Sequence, residues 1–106
     1  MDKYELRYLP RFHQDLKEHA LYISQKLQNP DAAIGLIRAA EQAILERLPF
    51  AEAFEQYNSR KERLHPYYRI YVRNYIIFYV VIPEGDRKVM EVRRFLFGKS
   101  NWKRNL

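Results

Sequence analysis

The apolar residues change their period once along the chain, and that change leaves few folds open. Phe12, Leu16, Ala20, Ile23 and Leu27 recur at spacings of four, four, three and four, which is one stripe of a helix of about four turns. Asn29, Pro30 and Asp31 restart the chain, because Asn caps a helix, Pro suits its first position and Asp favours the positive end of its dipole. Ala33, Ile37, Ala40, Ile44 and Leu48 then form a second stripe, which Pro49 stops. The break at Gln28 and Asn29 is short enough to make the two helices an antiparallel hairpin, and Ala33, Ala39, Ala40 and Ala43 let them pack closely.

Residues 67–97 read at period two instead. Tyr68, Ile70 and Val72 share one strand face, Arg69, Tyr71 and Arg73 the other, and Asn74 marks a turn. Residues 75–82 are apolar on both faces, as a central strand should be. After a turn at 83–86, residues 88–97 complete a three-stranded antiparallel meander, and Gly98 releases a basic tail. At the other end Tyr4, Leu6 and Tyr8 alternate on one more strand, ended by Pro10. The order β-α-α-β-β-β predicts an α+β fold of two layers, a helix hairpin packed on a small antiparallel sheet whose other face is left free. Residues 49–66 are polar and irregular and read as a mobile loop. A mass of 13.0 kDa fits one domain, 1–106.

Several chemistries fail on inventory. Zero Cys excludes a disulfide framework, a thiolate zinc site and a cysteine nucleophile together. Three Gly cannot make a phosphate-cradling loop, and three Ser outside any G-x-S-x-G give no nucleophile elbow. His13 and His19 stand on different sides of their helix and His65 is alone, so no metal site is implied and no cofactor is expected. Asp15 and Glu18 share a helix face and read as solvated surface. No stretch approaches the roughly 18 apolar residues of a membrane span, and a soluble, cytoplasmic protein is expected.

The net charge of +6 sits wholly in the second half: residues 1–48 carry seven bases and seven acids, residues 49–106 twelve bases and six acids. Such a field favours a polyanion or an acidic protein partner, more weakly as salt rises. Arg69, Tyr71 and Arg73, with His65 and Tyr67 before them and Arg93, Arg94 and Lys99 after, form a basic and aromatic set. Arg forks bind phosphate and aromatic rings stack on bases. The set suits polyanion binding, or metal-free RNA cleavage in which the 2′-OH attacks phosphorus, or simply an outer sheet face whose Arg stems cover aromatic neighbours.

Four stretches, in this order and spacing, resemble the RelE/ParE superfamily of toxins from bacterial type II toxin–antitoxin, or plasmid stabilisation, modules. They are LRYLP at 6–10 with DLKE at 15–18 and Tyr22-Ile23; NPDAA at 29–33; YRIYVRNYIIFYVV at 68–81; and RFLFGKSNW at 94–102. The resemblance implies the same β-α-α-β-β-β fold. RelE-like members are ribosome-dependent mRNA endonucleases, whereas ParE-like members poison DNA gyrase. Of the basic positions implied for the nuclease, Arg69 and Lys99 are present, but the central Arg of the third strand is replaced by Ile76, and the tail offers Trp102 with no Tyr after Tyr79. An aliphatic side chain cannot stabilise a phosphorane, nor can an indole serve as acid or base near neutral pH. The IIFY string and the R-x-L-x-G-x-x-x-W ending resemble ParE-like members more closely.

The resemblance therefore implies a growth-inhibiting toxin neutralised by a cognate acidic antitoxin, with gyrase as the favoured target and ribosome-bound mRNA as the alternative. A non-toxic antitoxin-binding module is a third reading. Under the gyrase reading the target contacts are Arg93, Arg94, Lys99, Trp102, Lys103 and Arg104. Under the nuclease reading Arg69 and Arg73 hold phosphate, Lys99 stabilises charge, and His65 or Tyr67 is the acid or base. An antitoxin segment that folds on binding is expected along an apolar groove of the hairpin, and the oligomeric state is open.

Overall fold

The computed structural model describes residues 3–57 and 63–106. Strand β1 (Tyr4–Tyr8) leads into helix α1 (Pro10–Leu21), and helix α2 (Pro30–Arg47) returns antiparallel to it. Strands β2 (Tyr68–Val72), β3 (Tyr75–Glu84) and β4 (Arg87–Phe97) follow as a meander, and a short 3-10 turn, Trp102–Asn105, comes after them. Two helices thus pack on one sheet in the expected α+β order. The sheet has the order β1-β4-β3-β2, and it is mixed rather than purely antiparallel, because β1 joins β4 in parallel register, Tyr4 beside Lys88 and Tyr8 beside Val92. Among the described residues no helix is long and apolar enough to cross a membrane.

Pro10 opens α1 instead of merely closing the strand, its ring placed where a helix needs no amide donor. After Leu21 the chain widens into one π turn, Tyr22–Lys26. Its extra residue rotates the end of the helix, so Leu27, expected on the buried stripe, is 58% exposed. Asn29 caps α2 as its residue type predicts, its side chain accepting the Ala32 amide at 3.1 Å.

The main core lies between hairpin and sheet, where Phe12, Leu16, Leu36, Ala40 and Ile44 meet Ile70, Ile77, Tyr79, Met90, Val92 and Phe95. A bulge in β4 sets Phe78 opposite Arg94 and Tyr79 opposite Val92, leaving Arg93 as an extra residue. That is why Val92 and Phe95, three positions apart, both reach the same core.

Part of the expected loop is packed structure. Leu48–Phe50 forms a short 3-10 turn, Ala51 is fully buried, and Gln56 bridges to Tyr68. Residues 58–62 of that stretch lie outside the described residues.

Candidate functional site

β3 is apolar on both sides, so its outward row, Ile76, Phe78 and Val80, needs cover of its own. Tyr67 and Leu96 flank it, and Trp102 and Leu106 of the C-terminal segment lie over it. The Trp102 ring stands 5.1 Å from Phe78 and 5.3 Å from Tyr57. Arg94 Nη1 donates to the Asn105 carbonyl at 2.8 Å. The tail is therefore docked rather than released, and the outer sheet face expected to be free is covered along its centre.

Cations ring this covered centre. Arg69 points outward from β2, its guanidinium 5.3 Å from the Tyr57 ring and 5.9 Å from that of Tyr71, which is 65% exposed. Arg63 lies 4.8 Å over Tyr67, and Arg93 lies 6.0 Å from the same ring. Towards β1 the charge is balanced: buried Glu91 accepts from Arg93 Nε at 2.8 Å and from Arg7 Nε at 3.0 Å. Arg7 also binds Glu84, and that hydrogen bond holds the Glu84 carboxyl below its ordinary range while raising the guanidinium's own pKa. Arg69, Lys99, Lys103 and Arg104 have no carboxylate partner among the described residues, so free positive potential collects at the β2 side and along the tail.

The residues singled out from sequence do not converge on one centre. Arg73 leaves the face of Arg69: it opens the β2–β3 turn with φ 55°, which ends the strand's alternation, and its guanidinium lies against Gly35 of α2 on the helix side. Tyr67 is buried against Phe78 at 5.9 Å, and His65 is half-buried in the stretch before β2. Lys99 is exposed beside the β2–β3 turn, held there by the Gly98 amide donating to the Asn74 carbonyl at 2.8 Å. Ile76 is only 5% exposed. Arg94 is bound within the fold, because Asp15 is no solvated carboxylate but is 4% exposed and accepts from Arg94 Nε at 2.7 Å. The outer face offers exposed cations beside one open ring, suited to gripping an anionic or acidic surface. Among the described residues no group of three His, Asp or Glu side chains could hold a metal.

Two features escaped the residue patterns. Arg47, in the last turn of α2, donates from Nη1 to Tyr79 Oη at 2.9 Å and to the Arg69 carbonyl at 3.1 Å, with Phe54 stacked 3.5 Å from its guanidinium. The only hint in sequence is a base at a helix C-terminus. The second is a pocket of about 440 Å³ at the tip of the hairpin, between it and the β2–β3 turn. The expected apolar groove is present: about 470 Å³ between α1 and α2, walled by Leu21, Ile34 and Ile37, with Lys17 and Glu41 at its margin.

No curated protein matches the chain. The family model described as the ParE toxin of the type II toxin-antitoxin system, parDE, matches residues 6–102, a span that starts within β1 and takes in the hairpin, the whole meander and Trp102. With that match running from the first strand to the docked tail, the chain belongs to the ParE toxin family of type II toxin–antitoxin systems.

Proposed function

We propose that this toxin arrests growth by poisoning DNA gyrase and does not cut mRNA. The observation that carries the reading is Ile76, which stands on the outer face near the start of β3, clustered with Phe78, Val80 and Leu96. The resemblance to RelE-like nucleases implies a cation at this position, to meet the charge that develops on phosphorus, and an aliphatic group supplies none. Of the two acid or base candidates, Tyr67 is sealed in the same apolar cluster, and His65 stands half-buried before β2. The cations left over, Arg69, Lys99, Lys103 and Arg104, are contact groups for a large target, with Arg93 and Trp102 behind them. A gyrase target and an antitoxin partner both make the cytoplasm the site of action in this reading.

Family membership implies a cognate antitoxin. In this reading it is acidic, disordered when free, and folds into the groove between α1 and α2. Ribosome-dependent mRNA cleavage is the second reading, and the feature favouring it is Arg69, half-buried, whose guanidinium stands beside the exposed Tyr71 with no carboxylate partner among the described residues. Expression in bacteria without the antitoxin separates the readings. Growth arrest with an SOS response supports gyrase, arrest with loss of mRNA and no SOS response supports the nuclease, and no arrest supports a non-toxic binding module.

A further inference from the structure

Arg73 occupies a position that favours glycine. β2 ends at Val72 and β3 begins at Tyr75, so Arg73 and Asn74 form a two-residue hairpin loop, and Arg73, its first residue, has φ 55°. Loops of this kind place Gly first, because a side chain there is strained. A strained backbone that persists is a reason to ask what its side chain does. The guanidinium lies against α2 where Gly35 leaves space: a Cβ on Gly35 would stand 3.3 Å from Nη2 and 3.6 Å from Nη1. The fork has no acceptor among the described residues.

Beside it opens the pocket at the hairpin tip, about 440 Å³, walled by Tyr22, Leu27, Leu36, Tyr75 and Phe97. Tyr22 and Leu27 are more than half exposed, giving the pocket an apolar rim. Arg73 is its one charged lining group among the described residues. We infer that this pocket is a second anchor point for the antitoxin, taking an apolar side chain while Arg73 holds the carboxylate of an Asp or Glu in the same segment. Charge identifies the occupant: a lone fork on a +6 chain, facing an apolar cavity, complements an acidic and apolar protein segment. The inference rests on the antitoxin reading above and adds a site separate from the groove between α1 and α2.

Calorimetry of the full chain with the antitoxin encoded in the adjoining reading frame tests it. Arg73→Gly should weaken binding by about tenfold through loss of the fork, yet melt at or above the parent, since Gly suits the turn. Arg73→Glu should weaken it by about a hundredfold through like-charge contact, and an acidic-to-Lys change in the antitoxin should restore most of that loss. Binding of both variants within twofold of the parent overturns the inference. So does an Arg73→Gly chain that melts well below the parent, which would make Arg73 a brace for the hairpin, or the absence of any restoring change. A parent chain that does not bind the antitoxin at all overturns the partner reading itself, a distinct result.

Discussion

Asp15 of α1 grips Arg94 of β4 across seventy-nine positions of sequence, with 2.7 Å from Oδ2 to Nε and 3.0 Å from Oδ1 to Nη2. The same Oδ2 takes the Phe95 amide at 3.0 Å. β1 pairs with β4 only as far as Val92, so without Asp15 that buried amide would face no acceptor. Since Arg94 also reaches the Asn105 carbonyl, one carboxylate ties helix, sheet edge and C-terminal segment together. Asp15→Ala should cost about 3 kcal/mol, because it strands a guanidinium that is only 14% exposed. Urea unfolding should also show the Asp15→Leu, Arg94→Met double variant to be less destabilised than Asp15→Ala. A double variant that loses the two single costs in full would contradict the pairing.

Tyr79 makes the matching link beneath α2. Its hydroxyl donates to the Ala51 carbonyl at 2.7 Å and accepts from Arg47 at 2.9 Å. Burial raises the phenol's pKa, an effect that Arg47 partly opposes. Tyr79→Phe should cost about 1 to 2 kcal/mol, leaving both partners short of a bond. The phenol is protonated in both states below the unfolded value near 10. Stability therefore should hold there and fall as pH rises through the higher folded value, because the unfolded chain loses its proton first. Tyr79→Phe should flatten that alkaline decline.

His19 gives the acid-side counterpart. Its ring stands 4.9 Å from Tyr75 and 5.7 Å from Phe95, and burial lowers its pKa against the opposing pull of Asp15 and Glu18. Folded and unfolded forms are both neutral above about pH 6.5, where its contribution is complete. Below that the unfolded chain binds the proton first, so stability falls until the folded value is passed. His19→Phe should reduce the loss of melting temperature between about pH 7 and pH 5, and an unchanged slope would remove His19 from it.

The docked tail separates folding from toxicity. Trp102→Ala should cost about 1 to 3 kcal/mol by uncovering Phe78. Deletion of residues 99–106 should destabilise the chain for the same reason, instead of leaving the sheet intact. Changing Lys99, Lys103 and Arg104 together to Ala leaves the Trp102 and Leu106 side chains over Phe78 and removes from that cover only the Lys103 ammonium, 5.9 Å from the Trp102 ring. That variant should keep its melting temperature and lose growth arrest, and retained arrest would take the tail cations out of the mechanism.

Local patterns were legible. The alternation at Tyr4 to Tyr8, the Asn29-Pro30 start and the two-faced apolar run of β3 each reach their observed element because near neighbours decide them. Relations between distant parts were not. Nothing near Asp15 announces Arg94, nothing in β1 states that it joins β4 in parallel, and the bulge at Arg93 depends on the register of two strands. Arg73 was misassigned because alternation was extended one residue past the strand, into a turn whose backbone reverses the side chain's direction. The apolar tail residues Trp102 and Leu106 hid within a basic segment, where charge masked their cover for Phe78.

The central claim is most directly tested with the purified toxin, purified gyrase and supercoiled DNA, beside ribosomes programmed with mRNA. Gyrase-linked double-strand breaks that rise with toxin and vanish with antitoxin, together with intact mRNA, are the predicted result. Ribosome-dependent mRNA cleavage that Arg69→Ala abolishes, with no gyrase-linked breaks, would contradict it.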